Sequence, residues 1–117
     1  MYTSTDTDLR ITDDYIFVKS NSLLQRVDFQ DILYIESEGN YCTIVTAQRR
    51  HVVKISLTRL LGRLDLPFIR QVHRSYAVNE SKIDSIDTTN SSLTVNGESV
   101  PLGRKFRDDL LNGLDVL

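Results

Sequence analysis

The chain has one cysteine, Cys42, in 117 residues. A lone thiol permits no internal disulfide and no cysteine-built zinc site, an economy that fits a reducing cytosol. Long apolar runs are missing too. None approaches the ~20 residues of a membrane-spanning helix, so no membrane partner is expected. The opening MYTSTDTDLR is polar and acidic, without the apolar h-region of a signal peptide. Residues 1–13 are expected to be a flexible lead-in or the remnant of a linker, with one domain over 14–117. The sequence contains no P-loop and no GxGxxG, so no nucleotide cradle is encoded. His51 and His73 are 22 residues apart with no cysteine or acid at a ligand spacing. Ser75 beside His73 lacks the glycines of a nucleophile elbow and has no identifiable orienting acid. Glu36 and Glu38 are two residues apart. Such pairs more often combine a structural acid with a solvated turn acid than a catalytic acid with a base. Neither an enzyme nor a cofactor is expected.

What is present is short-period alternation and an uneven distribution of charge. The net charge is −2, a mild argument against nucleic acid if taken alone. Residues 1–46 hold three Lys/Arg against eight Asp/Glu, a net of −5. Residues 47–74 hold seven Lys/Arg and one acid, a net of +6, and residues 75–117 return to −3. A polyanion responds to the local field within about a Debye length. The basic middle is therefore either a solvated face or a polyanion-binding one, and charge alone leaves both open.

Period-two segments rich in β-branched and aromatic residues run through YIFVK (15–19), LLQRVDF (23–29), ILYIE (32–36), YCTIVT (41–46) and HVVKISL (51–57). In the last, Val53, Ile55 and Leu57 are expected to share one face. SNS (20–22), EGN (38–40) and QRR (48–50) read as turns. Asn96–Gly97 between SLTV and ESVPL is a strong hairpin signal, and Pro101 predicts that the last strand is at an edge. KIDSID (82–87) reads as a further strand. Two stretches have helical spacing. Leu57, Leu60, Leu61 and Leu64 follow Ser56, a candidate N-cap, and Phe106, Leu110, Leu111 and Leu114 precede or flank Gly113, a candidate C-terminal cap. These readings give a mostly β fold of eight to ten short strands, with one short connecting helix and a C-terminal helix.

Two polar stretches stand out against this frame. FIRQVHRSYAVN (68–79) places Arg70, Gln71, His73, Arg74 and Ser75 in and around a turn between two buried strands. The terminal helix opens with Arg104, Lys105 and Arg107, cations that its dipole disfavours by about 0.3–1 kcal/mol each. A phosphate at that end would reverse the sign. The Glu38–Gly39–Asn40–Tyr41 loop adds an amide and an aromatic ring.

These stretches carry a resemblance. DILYIESEGNY (31–41), KISLTRLLGRL (54–64), IRQVHRSYAVN (69–79), KIDSID (82–87) and VPLGRKFRDDLL (100–111) resemble, in order, the conserved blocks of the LytTR DNA-binding domain, found at the C-terminus of many bacterial response regulators. The likeness covers about residues 14–114. It differs at Ile69, where the family often has phenylalanine four residues before the histidine, and in the absence of a receiver domain before it. The chain is thus expected to be an excised effector domain or a stand-alone regulator. The resemblance implies an elongated arrangement of small antiparallel β-sheets, not a helix-turn-helix. It also implies cytoplasmic, sequence-specific binding of double-stranded DNA, with loops entering successive major grooves of promoter direct repeats, two copies per site. Base contacts would fall at Asn40–Cys42, His73–Arg74 and Arg104–Lys105. With the basic stretch, the expected DNA-contacting set is Asn40, Tyr41, Cys42, Arg49, Arg50, Lys54, Arg70, His73, Arg74, Ser75, Arg104 and Lys105. A receiver domain or sensor is the expected partner in a longer chain. The competing reading is a β-rich protein-interaction module that holds an acidic partner on its basic stripe or at the edge strand near Pro101.

Overall fold

Ten short strands and two helices follow one another in a computed structural model that describes residues 14–117. The expected lead-in, 1–13, lies outside the described residues. The chain divides into two units after Asp31. In the first, β1 (Tyr15–Ser20) and β2 (Leu23–Asp28) form an antiparallel hairpin with Ser20 opposite Leu23. Asn21, in the intervening loop, sits at φ +57°, a conformation that asparagine tolerates better than most residues. Val18 and Val27 are buried, while Phe17, Leu23 and Leu24 are exposed. The Arg26 guanidinium stacks 4.0 Å from the Tyr15 ring centroid and bonds Asp28 at 2.7 Å.

The second unit holds two antiparallel sheets. Strands β3 (Ile32–Glu38), β4 (Tyr41–Thr46), β5 (Arg50–Val53), β6 (Ile69–His73) and β7 (Tyr76–Asn79) form one, in the order β5-β4-β3-β7-β6. Strands β8 (Ile83–Asp87), β9 (Ser92–Val95) and β10 (Glu98–Pro101) form the other, in the order β10-β9-β8. Pro101, which has no N–H to donate, therefore lies on an edge strand, as predicted. Asn96 at φ +50° and Gly97 at φ +81° make the tight β9–β10 turn, the left-handed pair that an Asn-Gly hairpin requires.

β3 is the middle strand of the larger sheet and is buried on both faces, which explains its unbroken Ile32-Leu33-Tyr34-Ile35. Tyr34, Val45, Val72 and Val78 on this sheet join Leu93, Val95 and Val100 from the smaller one, with Leu102 and Leu110, in a single core cluster. Each large side chain so buried contributes about 1.5–3 kcal/mol. The opposite face buries Ile35 in register with Ile44 and Ala77. One polar side chain is wholly enclosed. Asn79 donates from Nδ2 to the Ile32 carbonyl at 2.9 Å and accepts from the Ser81 N–H at 3.0 Å, tying the end of β7 to the start of β3.

α1 (Leu57–Leu64) follows its predicted spacing. Ser56 caps it by accepting the Arg59 N–H at 3.2 Å, and Leu57, Leu60 and Leu64 are buried. The predicted fifth strand is shorter than expected. It stops at Val53, a bend takes residues 54–55, and Leu57 opens the helix instead of ending a strand. α2 (Arg104–Asn112) begins at Arg104, as predicted, with Leu110 buried and Gly113 closing it by N–H bonds to the Leu110 and Leu111 carbonyls. No helix among the described residues is long and apolar enough to cross a membrane.

Candidate nucleic-acid interface

One end of the five-stranded sheet gathers three turns that are far apart in sequence. β3 runs out to Glu38, turns through Gly39 and Asn40 with Gly39 at φ +61°, and returns as β4 from Tyr41. Beside it, β6 and β7 are joined through Arg74 and Ser75, since His73 pairs with Tyr76. The two turns are fastened together: the Ser37 N–H donates to the Ser75 carbonyl at 2.8 Å. The third piece is the start of α2. The Gly103 N–H donates to the Val72 carbonyl at 2.6 Å, and a Cβ on Gly103 would come within 3.3 Å of the His73 Cα. A side chain there would press on β6, so glycine suits so close an approach of the helix start. Lys54 reaches the same end by another route. It follows Val53, which pairs with Cys42 at the start of β4. The rim thus runs from Lys54 through Glu38–Tyr41 and Arg74–Ser75 to Arg104–Lys105.

Its cations are exposed and uncompensated among the described residues. Lys54, Arg74, Arg104 and Lys105 are exposed, and none makes an ion pair among the described residues. α2 has no acid in its first turn and no side-chain cap at Gly103, so its positive end carries only cations. His73 is held in place: its Nδ1 accepts the Ser75 N–H at 3.1 Å, and its ring meets Tyr76 edge-on at 5.6 Å. In the neutral ring this leaves Nε2–H as a donor. Burial, then the nearby Glu36 and Glu38 carboxylates, raise the Tyr76 hydroxyl above its ordinary value.

Comparison with known proteins gives this rim a context. The family model of the LytTr DNA-binding domain matches residues 23–115. The chain belongs to that family. LytTR domains are DNA-binding domains of bacterial transcriptional regulators, and the family is not an enzymatic one. Sensory transduction protein LytR of Streptococcus agalactiae is 31% identical over 88 residues, which are 72% of this chain and 36% of that protein. The heme-containing CO-sensing transcriptional regulator RcoM 2 of Paraburkholderia xenovorans is 38% identical over 64 residues, 55% of this chain and 23% of that protein. The LytTR domain thus spans about a third or less of these relatives. A solved LytTr DNA-binding domain from Bacillus cereus shares its fold, with a TM-score of 0.73 and 24% identity over 85% of this chain and 97% of that one.

The LytTR fold sorts the residues expected to touch DNA. Asn40, Tyr41, Lys54, His73, Arg74, Ser75, Arg104 and Lys105 lie on the rim. Four others do not present a free side chain there. Cys42 follows the strand alternation inward and is 0% exposed, and burial raises its thiol pKa. Arg49 and Arg50 lie at the far end of the sheet, at the β4–β5 turn and the start of β5. Arg50 bonds the Tyr34 hydroxyl at 3.2 Å and faces Glu36 at 3.5 Å and Glu98 at 3.6 Å, while the Tyr34 hydroxyl donates to Glu98. Arg70 bridges Glu80 and Asp109, each at 3.2 Å, and clamps α2 onto β6. Sequence reasoning passed over two residues of the rim. Gly103 was visible only as the residue before Arg104, and Glu38 only as a turn residue and as the neighbour of Glu36 in a carboxylate pair.

Proposed function

We propose that this LytTR domain is the sequence-reading element of a bacterial transcriptional regulator and that it grips double-stranded DNA along the rim from Lys54 to Lys105. The observation that carries this reading is the convergence of three separate segments at one end of one sheet, beside Lys54, Arg74, Arg104 and Lys105, which make no ion pair among the described residues. Arg74 projects from the middle turn and is the bidentate guanine reader. His73 and Asn40 stand on either side of it, and Lys54, Arg104 and the free N–H groups of α2 hold phosphates. Five strands span four inter-strand gaps, about 19 Å at ~4.8 Å each, which exceeds the ~12 Å width of one major groove. The ends of the rim therefore meet different grooves or their flanking backbones, in keeping with loops that enter successive major grooves. Direct repeats would seat two copies, and an input domain elsewhere in a longer chain would govern binding.

Arg74→Ala tests this. Against a duplex selected from random sequence, its affinity should fall by roughly 1–3 kcal/mol, while its binding to random duplex changes little. Equal losses on both would remove Arg74 from base reading.

A further inference from the structure

Within this reading, one rim residue has the wrong charge. Glu36 and Glu38 are two positions apart on β3, so their side chains share a face. Glu36 is opposite Tyr76 and has a counter-ion, the Arg50 guanidinium at 3.5 Å. Glu38 is exposed at the lip of the β3–β4 turn, and neither an ion pair nor a side-chain hydrogen bond engages it among the described residues. It lies close enough to Tyr76 to act on that hydroxyl, and Tyr76 in turn touches His73. Its carboxylate therefore belongs to the same surface as the His73–Arg74 turn, in the middle of a cationic rim. Facing phosphates it can only repel. In the major groove its two acceptor oxygens have a use, because the groove offers amino donors.

We propose that Glu38 is a specificity-determining residue that selects cytosine, accepting a hydrogen bond from the N4 amino group and lowering affinity for all other DNA. Cytosine is preferred over adenine on chemical grounds. The adenine N6 amine sits beside N7, whose lone pair repels a carboxylate, whereas the major-groove edge of cytosine carries the donor alone. The repulsion from phosphates applies at every sequence, and the hydrogen bond offsets it at one, so a single side chain widens the gap between specific and random binding.

The experiment is selection of bound duplexes from a random pool by the parent domain and by Glu38→Ala and Arg74→Ala, followed by binding of each to the selected and to random duplex. The parent should retain a cytosine that E38A leaves degenerate, with discrimination at that pair falling roughly 5- to 150-fold. E38A should also bind random duplex more tightly than the parent does. The inference is overturned if E38A retains every cytosine as strongly as the parent, or if the parent selects no cytosine. If R74A relaxes the preference and E38A does not, this inference alone fails. If the parent binds no duplex, the DNA-reading assignment of the rim fails with it.

Discussion

Asn79 is a polar side chain enclosed completely in the protein interior, and its surroundings explain why it is tolerated. Its amide serves the Ile32 carbonyl with its donor and the Ser81 N–H and hydroxyl with its acceptor. Asn79→Ala would leave the Ile32 carbonyl without its side-chain donor in a buried site and release the part-buried Ser81 groups. Chemical denaturation should show a loss of about 1–3 kcal/mol in unfolding free energy; a loss within 0.5 kcal/mol, as expected at ordinary surface positions, would show that the partners find other bonds. Such roles are hard to read from the chain, because the Asn79 and Ile32 partners are 47 residues apart. The arginines make the same point. In sequence, Arg70 and Arg74 belong to one basic turn. In the fold, Arg70 is committed to Glu80 and Asp109, 10 and 39 residues away, while Arg74 has no counter-ion among the described residues. Residue type announced the cations, but only the packing of α2 on β6 decided which were spent internally. Cys42 was expected at the DNA from its place beside Asn40 and Tyr41, but the alternation that turns Tyr41 outward turns it inward.

Elements were more legible than contacts. β4 and β9 span the residues that their alternation predicts, and both helices form where leucine spacing and caps place them. These features are local, decided within a few residues by side-chain period and turn chemistry. The order β5-β4-β3-β7-β6 was not legible, since pairing β3 with β7 depends on two apolar strands meeting across an intervening helix. The truncated β5 shows local signals in competition. Its alternation continues through Leu57, but Ser56 caps a helix there, and the bend at 54–55 lets Leu57 be buried as part of α1. Turn chemistry also gives a clean test. Gly97 has φ +81° with open space around its Cα, so Gly97→Ala meets no clash and reports backbone strain alone. It should cost about 1–2 kcal/mol of stability, read by denaturation. The length of β10 (Glu98–Pro101) separates this turn from Gly103 at the rim, so DNA affinity of the folded domain should stay at the parent value. A stability unchanged by the substitution would show that the hairpin has another turn available.

Across the molecule, the basic block of residues 47–74 is not a patch. Its cations are dispersed: Arg49 and Arg50 to the far end of the sheet, Arg59 and Arg63 to α1, Arg70 to the helix clamp, and Lys54 and Arg74 to the rim. Arg104 and Lys105, from the acidic C-terminal third, complete the rim instead. The sum of charges along the chain therefore says little about where a polyanion binds, whereas the field within one Debye length does. Arg50 and Val53, the residue before Lys54, are three positions apart on β5, about 10 Å, while screening at physiological salt acts over about 8 Å. Arg50 also faces two carboxylates, which cancel its field locally. These distances separate two neutralising substitutions that the sequence alone would treat as equals. Lys54→Gln should weaken specific and random duplex alike and lower the slope of log affinity against log salt by about 0.9, the value of one phosphate contact. Arg50→Gln should leave that slope at the parent value and act instead on stability, by freeing Glu36, Glu98 and the Tyr34 hydroxyl from their shared cation. Titrations at several salt concentrations decide between them, and a slope flattened as much by Arg50→Gln as by Lys54→Gln would move the DNA off the rim and along the sheet.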